Sequence, residues 1–362
     1  MVNKRKRTPK EAQNDSLPSQ KRSKKETPVT NGSTTKTKAS KVQEKPAPFT
    51  EHPTVEDRKR ELALYTQLGS EDQNERIEAA SIIIAGLLEG DGVEEPTLFR
   101  HLAGRLFRGL ASGRNASRLG FSLVLTEILG QLFGEKYLAG SKYTGLTFDK
   151  VLGILVEKTD AGGSGNGQEE RDHYFGQLFG IECFVRAGIL FTDKSRWEAV
   201  LNLVLKLSQK KSWLKSQCGW IIVQAISQME VELAEETLQR LADEGVAKTP
   251  EGVGIWIAAL DRFPDMKVPK QPWRSPLEAG SLTSLPAVLK DSGRDTSNDQ
   301  AGNKKQKQGN WTAQLHFVWN LILTHFLKLG EKDKSDAAEQ FKQFWKRVVD
   351  GKYHCVISLT KS

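Results

Sequence analysis

Residues 104–129 read GRLFRGLASGRNASRLGFSLVLTEIL and decide how the rest of the chain can fold. They contain the end of one amphipathic helix, a tight polar turn over Ser112–Asn115, and a second helix predicted for residues 116–133. The second helix is apolar around most of its circumference, so other elements must cover it on more than one side. The stretch therefore predicts one helical hairpin inside a larger array of helices.

The helix before the turn has a regular apolar face. Its leucines recur every fourth residue and are Leu98, Leu102, Leu106 and Leu110. At 100° per residue, His101, Arg105 and Arg108 are predicted on the opposite, solvent-facing side. Within the turn, Ser112 or Asn115 is the expected N-cap of the next helix.

Other parts of the chain repeat this pattern. Predicted helix starts are the capping boxes Thr54–Asp57 and Ser70–Gln73, the cap Thr147, and the Thr249–Pro250 pair. No run of alternating apolar and polar residues is bounded by turn signals, so strands are not expected. Residues 117–124 can also be aligned with residues 216–223, each with a glycine followed by an aromatic residue. These observations predict an all-α fold, an armadillo/HEAT-like α-solenoid of helical hairpins with a disordered basic N-terminal tail.

Composition divides the chain into five segments. Residues 1–48 are expected to be a disordered tail and residues 49–263 a helical repeat array. Residues 264–310 hold five prolines and then a polar stretch, which predicts an extended or irregular linker and insertion. A further helical pair is expected over residues 311–350, followed by a C-terminal tail at 351–362.

The positive charge of the protein is concentrated in its N-terminal tail. Of 53 Lys and Arg and 45 Asp and Glu, residues 1–45 hold thirteen bases and four acids, which leaves 40 bases and 41 acids elsewhere. The tail has no aromatic residue before Phe49 and too few apolar groups to offset the entropy of ordering. Two basic clusters, a pattern of bipartite nuclear import signals, consist of Lys4, Arg5, Lys6, Arg7, Lys21, Arg22, Lys24 and Lys25. The expected partner is an import receptor, and the alternative is a generic solvated basic tail.

Several function classes find no support in the sequence. The widely spaced Cys183, Cys218 and Cys355 exclude a disulfide framework and a cysteine-based zinc module, and the first two are predicted to be buried in apolar helices. No segment of eighteen uninterrupted apolar residues is present, so neither a membrane span nor membrane association is expected. The N-terminus also lacks the apolar region of a secretory signal.

Motifs that could hold a cofactor or metal are also weak. The glycine-rich stretch at residues 162–167 lacks the preceding strand and the Lys-Ser/Thr pair of a phosphate-binding loop, which favours a flexible loop. His316 and His325 could face one another, but no metal-ligand spacing surrounds them. The acidic stretch at 295–299 lies in the polar insertion and not on a rigid support, as two-metal polymerase chemistry requires. No cofactor, metal site or catalytic residue is predicted.

Four arginines surround the polar turn in an otherwise neutral body. They are Arg105, Arg108, Arg114 and Arg118. Arginines beside a helix N-terminus favour anions, so these residues are candidates for contacting nucleic-acid phosphates. The alternative is a solvated helix face with ion pairs to adjacent repeats. The tryptophans, in contrast, occupy core-like helix positions and are expected to serve in packing.

Two motifs resemble a known family. Residues 106–121, LFRGLASGRNASRLGF, resemble the signature near the N-terminus of the DNA polymerase V / DNA polymerase phi family, which includes the animal Myb-binding proteins. Residues 311–319, WTAQLHFVW, are similar to a W-x-x-Q-L-H-F-V-W segment of that family. The resemblance covers roughly residues 50–350.

The resemblance implies a nucleolar, non-enzymatic protein with armadillo/HEAT-like repeats that acts in rRNA gene transcription and ribosome biogenesis. The implied partners are rDNA chromatin or RNA, together with nucleolar and transcription proteins. Family chains are considerably longer, and residues 351–362 do not resemble a continuation, which a truncated gene model would explain. Two alternatives remain, a template-directed DNA polymerase and a nuclear transport or chaperone adaptor.

Overall fold

The computed structural model describes residues 47–162, 167–290 and 315–350, and within them the chain is helical with no β-strand. The all-α class is therefore confirmed for this part of the chain. The α-helices are α1 (Val55–Gln67), α2 (Gln73–Leu88), α3 (Glu95–His101), α4 (Phe107–Leu110), α5 (Asn115–Phe133), α6 (Leu138–Ser141), α7 (Phe148–Lys158), α8 (Gly167–Arg186), α9 (Lys194–Ser208), α10 (Lys215–Ile226), α11 (Val231–Asp243), α12 (Pro250–Arg262), α13 (Leu285–Leu289), α14 (Phe317–Lys332) and α15 (Lys334–Phe344). Short 3₁₀ segments are Ser212–Leu214 and Val246–Lys248, and π-helical segments are Leu102–Leu106 and Trp345–Asp350.

Most predicted helix starts are confirmed by their caps. Thr54 and Asp57 form the expected capping box, and Thr147 and Thr249 each accept a hydrogen bond from the first turn of α7 and α12. The prediction for α2 is wrong, because Asp72 caps this helix by accepting hydrogen bonds from two backbone N–H groups. Ser70 donates instead to the side chain of Glu75.

The start of α5 also differs from the prediction. Its N-cap residue is Arg114, which makes no side-chain cap hydrogen bond. The hydroxyl of Ser112 accepts a hydrogen bond from the Arg114 N–H inside the turn. Asn115 is already the first helical residue.

Helices α2, α5, α8, α10, α12 and α14 form one row in which each packs on the next. Contacts near their N-termini show that successive helices run in the same direction: Arg118 of α5 reaches Asp172 of α8, and Gly219 of α10 lies against Glu251 of α12. Contacts further along agree, since Gln224 of α10 donates to Glu182 of α8. The N-termini of these helices thus follow one another along one side, here called the N-terminal edge. Stacked hairpins produce this order of contacts, while superhelical solenoid packing stays a prediction.

The four-residue leucine row is confirmed, because Leu98, Leu102, Leu106 and Leu110 are all fully buried. The predicted exposure of His101 is wrong, since its side chain is also fully buried. Helix α1 lies against this side of α3, and the π-helical segment then changes the helical phase before α4. Both faces of this stretch are consequently covered near His101.

Some of the remaining predictions concern residues that the structure describes, and others concern residues outside those ranges. Cys183 and Cys218 are buried, as predicted, and burial raises the pKa of their thiols to about 11 and about 12. Residues 264–290 are mostly turns and irregular chain, but they also contain α13. The basic tail up to residue 46, the insertion at 291–310, Cys355 and the C-terminal tail lie outside the described residues, so the five-segment division stays a prediction. No helix in the described ranges is long and apolar enough to cross a membrane.

Candidate nucleic-acid interface

The four arginines around the polar turn have different environments. Arg114 lies on the N-terminal edge, where its guanidinium donates to the Gly69 carbonyl at 2.5 Å and pairs with Glu71 at 3.4 Å. Its side chain remains 60% exposed. Arg114 therefore ties α5 to the α1–α2 turn and still has N–H groups that face solvent.

Arg118 is not available to an external phosphate. Its side chain is only 8% exposed, pairs with Asp172 at 2.8 Å, and lies over the Phe175 ring at 5.0 Å. Burial lowers the pKa of this guanidinium, and the Asp172 carboxylate opposes that shift. Arg118 is a buried link between α5 and α8, because its partner lies 54 positions further along the chain. Arg105, Arg108 and Arg114 remain as candidates for contacting nucleic-acid phosphates.

Arg105 and Arg108 lie on exposed surface, as predicted. The Arg105 guanidinium is 5.9 Å from the centre of the Tyr65 ring. Arg108 makes no ion pair with any residue that the structure describes. Both can meet an anionic partner, and their role in nucleic-acid binding stays a prediction.

Glycines explain much of the motif at residues 106–121. A Cβ on Gly120 would lie 1.9 Å from the Leu68 carbonyl oxygen, so only glycine permits this approach of α5 to the end of α1. A Cβ on Gly109 would lie 2.6 Å from the Phe121 ring, which fills the space above that glycine. The glycine and the adjacent aromatic residue that the sequence alignment singled out at residues 120 and 121 therefore both serve in helix packing.

The second motif serves the same purpose between α12 and α14. His316 caps α14 by accepting from the Val318 N–H, and its ring lies 3.4 Å from Glu251 on α12. Phe317 fits against Gly219 and Gly254, where a Cβ would lie within 3.2 Å and 2.6 Å of its ring. Residues 311–314 of the motif lie outside the described residues.

His316 and His325 do not face one another across a shared site. His325 contacts Asp261, and Lys328 approaches the other oxygen of that carboxylate at 3.4 Å. Burial raises the pKa of Asp261, but the hydrogen bonds and charges of His325 and Lys328 together lower it overall. Across the described ranges, no group of three or more His, Cys, Asp or Glu residues is placed to hold a metal ion. Most of the glycine-rich loop, residues 163–166, is outside the description.

A buried polar cluster beside the arginines was not expected. The Tyr65 hydroxyl lies 2.7 Å from His101 Nδ1, and Arg100 contacts both His101 Nε2 at 3.1 Å and Glu61 at 3.3 Å. Burial, with the charges of Arg100 and Arg105, lowers the pKa of His101 to about 3. His101 is therefore neutral at physiological pH and connects α1 to α3.

A second basic surface on the N-terminal edge was also missed. Arg171 of α8 lies 5.5 Å from the ring centres of both Phe175 and Trp213, and Lys211 pairs with Glu170 at 3.2 Å. The lysines between residues 206 and 215 were the sequence signal for this surface, but the sequence does not show which aromatic residues position Arg171.

The tryptophans were predicted to serve in packing. Trp197 and Trp256 are buried, as expected, whereas Trp220 and Trp345 are 36% and 47% exposed.

Comparisons with known proteins agree with these motifs. The family model described as DNA polymerase phi matches residues 101–355. The chain is 29% identical over 306 residues to the rDNA transcriptional regulator pol5 of Schizosaccharomyces pombe, which covers 81% of this chain and 29% of that protein. It is 28% identical over 332 residues to the rDNA transcriptional regulator POL5 of Saccharomyces cerevisiae, covering 79% and 32%, respectively. Mouse Myb-binding protein 1A is 22% identical over 302 residues, covering 83% of this chain and 20% of that protein.

No solved structure matches the chain. The chain spans about a third or less of the length of these curated relatives. The family match covers well over half of the chain and includes both the arginine turn and the contact between α12 and α14. The chain therefore belongs to the DNA polymerase phi family.

Proposed function

We propose that this protein is a non-enzymatic nucleolar scaffold that supports rRNA gene transcription and ribosome biogenesis. The observation that carries the proposal is its similarity, over about four fifths of the chain, to two yeast proteins named rDNA transcriptional regulators. Their names describe regulators of transcription and not polymerases. A helical body with extended surfaces for partner proteins suits this role.

The N-terminal tail has two tasks in this proposal. Its two basic clusters bind an import receptor and bring the chain into the nucleus. The same charges attract rDNA chromatin or RNA without sequence preference and in a salt-dependent manner. The helical body holds nucleolar and transcription proteins, while Arg105, Arg108 and Arg114 contribute contacts to phosphates.

Chromatin immunoprecipitation of the tagged full-length chain tests the proposal. Ribosomal gene repeats should be enriched over mRNA genes, and depletion of the protein should lower pulse-labelled precursor rRNA. The matched control is a tail-neutral variant, in which Gln replaces the eight basic residues of the two clusters. This variant should lose nuclear accumulation. Equal recovery of ribosomal and mRNA genes, with unchanged rRNA synthesis, would contradict the proposal.

The two alternatives give different results with purified protein. A template-directed polymerase would extend a primed template, and this activity should be lost when a single carboxylate is replaced. A transport or chaperone adaptor would bind import cargo or free ribosomal proteins in preference to rDNA chromatin. The proposal expects neither primer extension nor that preference.

A further inference from the structure

We propose that the N-terminal edge at α8 and α10 is a docking surface for the phosphate backbone of duplex DNA, with Arg171 at its centre. This inference rests on the proposed function, because it assigns the nucleic-acid contact of the helical body to particular residues. It places that contact not at Arg118, which is buried, but further along the edge, at α8 and α10.

Arg171 is held in place by two aromatic rings. Its guanidinium carbon lies 5.5 Å from the ring centres of both Phe175 and Trp213. Cation–π contacts of this kind orient a guanidinium plane while leaving its N–H groups free. Arg171 is exposed and forms no hydrogen bond or ion pair with other residues of the described ranges. A planar cation that is already oriented, and whose five donors have no partner among the residues described, is suited to a phosphate group.

Further positive charge lies beside Arg171. Lys210 and Lys215 are exposed and form no side-chain ion pair among the residues described. Lys210 is close enough to Glu170 for its charge to contribute to lowering the pKa of that carboxyl, after the hydrogen bonds from Tyr174 and Lys211. This places Lys210 on the same stretch of the edge, while Lys215 opens α10 two residues after Trp213.

The carboxylates of this region are largely occupied by the protein itself. Asp172 pairs with Arg118 and also accepts a hydrogen bond from Gln168. Glu170 accepts from Tyr174 and pairs with Lys211. Since both acids already have cationic or hydroxyl partners, the charges that remain for a ligand are mainly those of Arg171, Lys210 and Lys215. Two further acids lie near this surface. Glu169 has its own contact within the protein, and Asp160, whose charge acts on Tyr174, accepts a hydrogen bond from the Gly162 N–H.

The aromatic groups indicate duplex and not single-stranded nucleic acid. Trp213 is half-buried, contacts Tyr174 and Phe175 through its ring, and lies beneath the Arg171 guanidinium. Proteins that bind single strands display open aromatic faces on which bases stack. Here the rings support a cation, which suits contacts to the phosphate backbone that do not depend on sequence. Arg114 extends this surface, because the turn that precedes Arg118 also approaches Asp172 at Gly113.

The test compares two full-length double variants made in the tail-neutral background. R171Q/K215Q removes two charges from the edge, whereas R186Q/K136Q removes two exposed charges near the opposite ends of α8 and α5. Affinity for a short duplex DNA of mixed sequence is measured across a salt series. R171Q/K215Q should lower the slope of log affinity against log salt by about 2, and R186Q/K136Q should leave it unchanged. Circular dichroism checks that both variants fold, and R171K should keep part of the affinity because it retains the charge but not the planar donors.

The outcomes separate this inference from the proposed function. If the tail-neutral protein does not bind DNA while the wild-type chain does, the inference is wrong and the tail alone supplies the proposed attraction. If R171Q/K215Q binds as tightly as its control, the inference is again wrong and the arginine turn becomes the contact site. Tighter binding of a single-stranded RNA than of the duplex would overturn the choice of duplex DNA. Failure of the wild-type chain to bind any nucleic acid would instead contradict the proposed function.

Discussion

The contacts of α5 and those between α12 and α14 use the same plan with different chemistry. Each joins neighbouring helices through a glycine, an aromatic ring and a largely buried carboxylate. At α5 the glycine meets backbone and the cation is Arg118, which is always charged. At α12, the side chain of Glu251 meets Gly219 of the neighbouring helix α10, and the partner of this carboxylate is His316. The same combination of residues thus meets fixed backbone at α5 and a side chain, which can move aside, at α12.

Replacing the glycines should separate the two contacts most clearly. G120A places a Cβ 1.9 Å from the Leu68 carbonyl oxygen, and this backbone cannot move aside easily. We expect it to lower the free energy of unfolding by about 3 kcal/mol or more. G219A places its Cβ 2.7 Å from a side-chain atom of Glu251 and should cost about 1–2 kcal/mol. Chemical denaturation measures both.

The control for this experiment lies on the same helix. Gly130 of α5 has no atom within 4 Å of an added Cβ. G130A should therefore leave the protein unchanged or stabilise it by up to about 1 kcal/mol, because alanine favours helix. Equal changes in the free energy of unfolding for G120A and G130A would contradict the close approach of α5 to the Leu68 carbonyl.

Removing the largely buried carboxylates should also affect the two contacts differently. D172N leaves the Arg118 charge buried without compensation and should cost about 3 kcal/mol. E251Q keeps a polar oxygen beside His316 and should cost about 1 kcal/mol. Thermal unfolding compares the two variants. The double variant R118M/D172N should recover part of the loss, and a double variant less stable than D172N would contradict the role assigned to this ion pair.

Acidification should distinguish the region of α1–α3 from that of α12–α14. The pKa of His101 is about 3 when folded, against about 6.5 in an unfolded chain, so the unfolded state binds one more proton between these values. The stability contributed by His101 is complete above about pH 6.5 and falls by about 1.4 kcal/mol per pH unit below it. Asp261 and Glu251 have lowered pKa values, so their contribution is complete above the ordinary carboxyl pKa of about 4 and is lost as the pH falls below it.

Hydrogen exchange at stepped pH measures which region opens first. Amides of α1 and α3 should lose protection before those of α12 and α14. H101Q cannot titrate and should flatten the pH dependence between about pH 6.5 and 5. An unchanged pH dependence in this variant would show that His101 is not the group responsible.

The smallest expected effect on stability concerns the exposed arginines. R105Q/R108Q should change the free energy of unfolding by less than about 0.5 kcal/mol, because both side chains are on the surface. In the tail-neutral background it should weaken binding to duplex DNA only slightly if the Arg171 surface is the main contact. If R105Q/R108Q lost more affinity for duplex DNA than R171Q/K215Q, the arginine turn and not the Arg171 surface would be the main contact.

Local signals determined most of the helix positions without reference to distant residues. The Thr54–Asp57 box, Thr147 and Thr249–Pro250 mark helix starts because their hydrogen bonds and backbone preferences involve only three or four neighbouring residues. The leucine row from Leu98 to Leu110 identified one buried face for the same reason. The all-α class follows from such periodicity alone.

Only the tertiary structure decided which charged groups face solvent. Arg118 and Arg114 are four residues apart on the same turn, yet one is buried against Asp172 of α8 and the other is exposed. His101 occupies a polar position of its helix and is buried because α1 and Phe49 cover it. Periodicity assigns one face of a helix to the core, but the second face depends on which distant helix packs there. That choice is made by contacts between residues far apart in the chain, which is why the candidate interface could be only partly predicted from the sequence.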